Sequence, residues 1–128
     1  MPLVRISLRA GKPAAYRRAV ADAVHQAMME TINVAPTSRF QIITEHAPED
    51  LIYDPTHLGI QRTDDVVFIQ ITLAAGRTPD QKRALYKRMA ELLTEKVGMR
   101  PQDVFINLID APRENWSLGN GEAQLFQP

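Results

Sequence analysis

The chain has 128 residues, 45% of them hydrophobic, enough for one domain with a real core and too few for two of ordinary size. Lysine plus arginine and aspartate plus glutamate number 15 each, and no long run of one sign could track a phosphate backbone, which argues against a nucleic-acid partner. The lack of cysteine removes disulfides, thiolate nucleophiles and cysteine metal sites, and it fits the cytoplasm.

The chain opens with Pro2 to Leu8, short, apolar and β-branched, which reads as a buried strand. Arg5 and Arg9 put charge inside the N-terminal apolar stretch that runs from Met1 to Arg9, so it is not expected to be a secretory signal. A helix follows, with apolar residues at Val20, Val24, Ala27 and Met28 and a stop at Asn33. Residues 39–44 supply a second strand, with Phe40 and Ile42 on one face. The segment from Ala47 to Asp65, rich in Pro, Asp and Thr, reads as a linker. Val66 to Leu73 is the next strand, and the apolar run it opens falls well short of the ~20 residues that span a bilayer. Thr78-Pro79-Asp80-Gln81 forms a capping box ahead of a helix that carries Leu85, Met89, Leu92 and Leu93 and stops at Gly98. Residues 103–109 are the last strand, and from Ala111 a turn-rich tail with Gly119-Asn120-Gly121 suggests a hairpin.

These elements repeat at an offset of 65 residues. The offset lays Lys12 over Arg77, Val4 and Ile6 over Ile69 and Ile71, Ala19 over Ala84, Met28 over Leu93, Asn33 over Gly98, Pro36 over Pro101 and Phe40 over Phe105. Asn and Gly are the two residues that best tolerate the left-handed conformation ending a helix, so the repeat extends to the helix caps. The expectation is a single α/β (α+β) domain over 1–128. Repeat 1 spans about 2–46, the linker 47–65, repeat 2 about 66–110 and the tail 111–128. Right-handed crossovers place both helices on one face of a four-stranded mixed sheet and leave the other face for a partner subunit to cover.

If the repeats pair about a pseudo-twofold axis, the first strands run antiparallel and Pro2 lies beside the loop that holds Arg77. Val67 then faces Lys12, but it is mid-chain and offers no amine. Proline at position 2 normally permits removal of the initiator methionine, which would make Pro2 a secondary amine able to take or give a proton near neutral pH. Proline is also an ordinary first residue of a strand. Arg77 suits a carboxylate clamp at a strand's end, and equally a solvated loop position. Trp116 suits a ligand contact or an anchor for the tail. His25, His46 and His57 show no metal spacing. Glu45, Asp50 and Asp54 are acids that could act as a second catalytic group.

Pro2, the duplicated βαβ, the stretch Phe40-Gln41-Ile42-Ile43-Thr44-Glu45-His46, Leu58-Gly59-Ile60 with Arg62, and the tail Trp116-Ser117-Leu118-Gly119-Asn120-Gly121 together resemble the malonate semialdehyde decarboxylase-like branch of the tautomerase superfamily over nearly the whole chain. The resemblance implies a tautomerase, or macrophage migration inhibitory factor-like, fold assembled as a homotrimer with three sites. It implies that Pro2 is the catalytic acid or base, that Arg77 binds the carboxylate of a small 2-oxo or 3-oxo acid, and that no cofactor or metal takes part. Ser38, Trp116 and Leu118 become further substrate-contacting positions. Some members carry two arginines in the loop, whereas this chain has Ala74 and Ala75 before Arg77 and resembles the single-arginine branch. Ser38 stands where the decarboxylases have an aspartate. Loss of that carboxylate favours the neutral amine of Pro2, and with it tautomerisation over decarboxylation.

Overall fold

In the computed structural model, which describes residues 1–127, the elements run β1 (Pro2–Arg9), α1 (Ala14–Ile32), β2 (Gln41–His46), β3 (Val67–Ala74), α2 (Pro79–Val97) and β4 (Val104–Ala111). The sheet order is β2-β1-β3-β4. Within each half the strands are parallel, with Ile6 beside Ile43 and Ile71 beside Leu108. The halves join through antiparallel β1 and β3, where Ile6 meets Ile69 and Pro2 meets Leu73. The duplicated βαβ architecture is therefore the one the repeat predicts.

Alternation along the central strands sends Val4, Ile6 and Leu8, and Val67, Ile69, Ile71 and Leu73, to the helix-covered face, where all are buried. Both helices close that face with the side chains picked out by their periodicity, including Val24 and Met28 of α1 and Leu85, Met89 and Leu93 of α2. Each fully buried Leu or Met stabilises the fold by roughly 1.5–3 kcal/mol. The helices stop where predicted: Asn33 and Gly98 both adopt left-handed φ, 57° and 69°. Their starts differ, because Thr78 forms a complete capping box with Gln81 whereas Pro13 provides no side-chain cap.

The opposite face of the sheet carries no helix among the described residues. Ile42 of β2 and Phe105 and Ile109 of β4 alternate with core-facing neighbours and are exposed, and Phe40 just ahead of β2 is exposed as well. The segment between the halves contains two short 3-10 turns, Pro48–Asp50 and His57–Gly59, and its residues Ile52, Tyr53 and His57 line a cleft with Phe68 and Phe105 of this face. One guanidinium organises it: Arg62 NH1 donates to the carbonyls of Asp54, His57 and Ile60 at 3.3, 3.2 and 3.4 Å. Buried Asp103 ties its end to the domain by accepting from the Thr63 N–H and O–H, each at 2.7 Å.

Two expectations are corrected. β2 starts at Gln41 rather than Arg39, because the Arg39 side chain turns back to Asp22 and Gln41 and only the Phe40 carbonyl reaches β1, accepting from Val4 N–H at 3.0 Å. The tail forms no hairpin among the described residues. Gly119, Asn120 and Gly121 all have positive φ and coil the chain tightly, and the Gln124 amide bridges the Leu118 N–H and the Gly119 carbonyl.

Candidate active site

Antiparallel pairing of β1 with β3 brings the start of one to the end of the other. Pro2 is buried at the sheet's end opposite Leu73, and the Met1 carbonyl accepts from Ala74 N–H at 3.3 Å. Beyond Ala74 the chain turns through Gly76, whose φ of 130° a side-chain-bearing residue rarely adopts, and enters α2 at the Thr78 cap. Arg77 lies between those fixed points. Its NH1 donates to the Ala74 carbonyl at 2.8 Å, and Ala75 N–H donates to the Ala111 carbonyl at 3.0 Å, locking the loop to the end of β4.

Two clefts meet at Met1. One, of about 320 Å³, is basic and is lined by Met1, the Ala74–Arg77 loop, Gln81, Arg113 and Leu125. The other, of about 240 Å³, is apolar and is lined by Pro2, Leu3, Phe40, Trp116 and Leu118, again with Met1 as shared wall. Ser38 closes over the same residue, its O–H donating to Met1 Sδ at 2.9 Å. Trp116 Nε1 donates to the Ala111 carbonyl at 3.4 Å, which fixes the indole against the end of β4.

Pro2, Arg77, Ser38, Trp116 and Leu118 are thus gathered around one residue, Met1. Glu45, Asp50 and Asp54 are not among the residues lining either cleft. Glu45 pairs with Arg17 at 2.9 Å, and Asp54 accepts from Thr56 N–H at 2.9 Å. His25 is buried in α1 with Nε2 at 3.1 Å from the Pro36 carbonyl, and no cluster of three metal-ligating side chains occurs among the described residues.

Sequence reasoning missed Arg113. It sits on a 3-10 turn just past β4, and the signal was available: β3 and β4 are parallel neighbours, so the residues that follow β4 must lie beside the loop that follows β3. Its charge is felt at the chain terminus. The Met1 ammonium is held below its ordinary pKa first by burial, then by the Arg77 and Arg113 guanidiniums, all of which disfavour a further positive charge.

A tautomerase family model, described as tautomerase enzyme, matches residues 38–119, and a second with the same description matches residues 2–60. This chain belongs to the tautomerase family. It is 39% identical over 127 residues to the probable tautomerase YusQ of Bacillus subtilis, a match covering 99% of this chain and 100% of that one. A solved malonate semialdehyde decarboxylase inhibited by 3-bromopropiolate superposes with a TM-score of 0.90 at 39% identity, over 95% of this chain and 92% of the other. A symmetric trimer of fused 4-OT superposes with a TM-score of 0.78 at 25% identity, over 94% of each chain. No helix among the described residues is long and apolar enough to cross a membrane.

Proposed function

We propose that this tautomerase-family chain, once Met1 is removed, uses the secondary amine of Pro2 as the acid/base group for keto–enol tautomerisation of small 2-oxo or 3-oxo carboxylates. The observation that carries this reading is that Met1 lines both a basic cleft at Arg77 and an apolar one at Trp116, the second also lined by Pro2. Its removal frees the Pro2 nitrogen at the junction of the two. Arg77, with Arg113 beside it, takes the substrate carboxylate by charge-assisted hydrogen bonds, while Phe40, Trp116 and Leu118 receive the rest of the molecule. Ser38 is left facing the reacting end.

The neutral Pro2 nitrogen takes a proton from the carbon beside the carbonyl and returns one to the oxygen or to a further carbon. Arg77 stabilises the enolate charge as it develops. Burial and the Arg77 and Arg113 guanidiniums, which lower the pKa of the Met1 amine, would favour the neutral form of an amine freed at Pro2, and the chemistry requires no cofactor. A phenylpyruvate-type enol assay on the processed protein, beside Pro2→Ala, tests the reading. The proposal predicts a loss of roughly 10²-fold or more in kcat/KM for the variant, the range typical of a positioned acid/base group. Equal, background rates in both would favour a non-catalytic trimeric binding module of the same fold.

The likeness to a solved decarboxylase favours a second reading, decarboxylation or hydration of a malonate semialdehyde-type 3-oxo acid. A protonated Pro2 would then polarise the oxo group while carbon dioxide leaves toward an enolate. Ser38, which offers no charge to hold an ammonium, ranks this below tautomerisation. The uncovered sheet face with exposed Ile42, Phe105 and Ile109, together with the trimeric fused 4-OT neighbour, supports a homotrimer. The cysteine-free composition supports work in the cytoplasm.

A further inference from the structure

The far end of the sheet carries a counterpart of the Met1 cleft. The 65-residue offset that lays Lys12 over Arg77 also lays Tyr16 over Gln81, Val66 over Met1 and Asp103 over Ser38. A cavity of about 220 Å³ opens there, with Lys12, Tyr16, Val66 and Val67 in its wall. The Lys12 ammonium lies 5.1 Å from the centre of the Tyr16 ring, so an aromatic face flanks the cation.

The two ends differ in what precedes the strand. β1 starts at the chain terminus, whereas β3 is fed by Thr63-Asp64-Asp65, and Asp65 is the residue the offset would put immediately ahead of Met1. Linker atoms therefore run through the region that at the other end opens in front of the terminus. They bring carboxylates with them. Asp65 Oδ1 accepts from Lys12 Nζ at 2.9 Å, while Asp64 Oδ1 pairs with Arg9 NH1 at 3.0 Å and accepts from Tyr53 O–H at 2.6 Å. Asp103, buried at the position matching Ser38, holds Thr63 in place through two 2.7 Å hydrogen bonds.

We infer that the Lys12 cavity is a second carboxylate-binding site whose ligand is the chain's own Asp65, so that the linker excludes small organic acids from one end of the repeat while the other stays open to them. The inference depends on the proposed role of Arg77 only for the choice of probe. A lysine offers a point charge that a single carboxylate satisfies, and a tethered carboxylate is present at high effective concentration. An untethered acid at millimolar levels therefore loses the competition.

The test is titration of ¹⁵N-labelled full-length protein with pyruvate, read from amide resonances. In the wild type the expected perturbations cluster at the Arg77 loop and Gln81, with none at Lys12, Tyr16 or Val66. Asp65→Asn gains a second set at those three residues, with at least tenfold tighter binding there than in the wild type. Asp65→Ala does the same should the Asn amide refill the site, and adding Lys12→Gln removes the second set and leaves the first. The inference is overturned if both Asp65 variants gain no second set, if the wild type shows that set at equal affinity, or if the set survives Lys12→Gln. Loss of the folded spectrum in both variants would make Asp65 a structural clamp and overturn it as well. A second set without any response at Arg77 would instead sink the proposed role of Arg77 and leave this inference standing.

Discussion

The Met1 end and the Asp65 end of the sheet come from one repeated unit, yet they have diverged through chain connectivity as much as through side-chain identity. At both, a strand begins beside a basic loop that leads into a helix: Met1, just ahead of β1, lines a cleft with Arg77, and Val67 lines one with Lys12. At the first, burial and the Arg77 and Arg113 guanidiniums lower the pKa of the Met1 amine. At the second, the chain continues, and the continuing residues neutralise the cation with an acid of their own.

The largest effect should come from making the first end resemble the second. A short extension that blocks methionine removal acylates the Pro2 nitrogen and should lower kcat/KM by about 10³-fold, the range of a lost acid/base group, with intact mass confirming the retained residues. Arg77→Gln should cost about 10²-fold in kcat/KM at an unchanged melting temperature, since its side chain contributes one bond to its own loop and, in the proposed role, stabilises developing charge. At the other end, Asp103→Ala leaves the Thr63 donors unpaired beside a buried position. It should lower stability by roughly 1–3 kcal/mol, read from the urea midpoint, without changing the pH profile. Arg113→Gln is smaller, about fivefold in KM for a surface cation near the substrate's carboxylate.

The same variant sharpens the comparison through pH. Activity that needs a neutral amine is present above its pKa and lost as pH falls through it. Burial and the two guanidiniums lower the pKa of the Met1 amine, and the same surroundings should hold a freed Pro2 amine, and with it the acid limb of the rate profile, below that of an unperturbed prolyl amine. Arg113→Gln removes one cation and should move that limb upward. Ser38→Asp should also move it upward, by adding an anion that favours the ammonium. A limb unmoved by both would mean the titrating group lies elsewhere.

Much of this was legible in the sequence because the offset survives at positions with strict backbone demands. Asn33 and Gly98 each need a left-handed φ, and both have it. The Thr78 box reads directly from side chains three residues apart. The start of β2 did not read, because Arg39 has the periodicity of a strand but its guanidinium prefers Asp22, a partner 17 residues away. The hairpin expected at Gly119-Asn120-Gly121 failed for a related reason: glycine shows that a turn is allowed, and whether strands flank it depends on partners that Leu118 and Gln124 find in each other instead. Arg113 was invisible because nothing local marks it. It gains its place from the parallel pairing of β3 with β4.

Arg62 has a bearing on assembly. By gathering three backbone carbonyls onto one nitrogen, it holds an irregular, sparsely buried segment in a single shape within the isolated chain. Were the proposed homotrimer to use this surface, with its exposed Ile52 and Leu58, docking there would forfeit little backbone disorder.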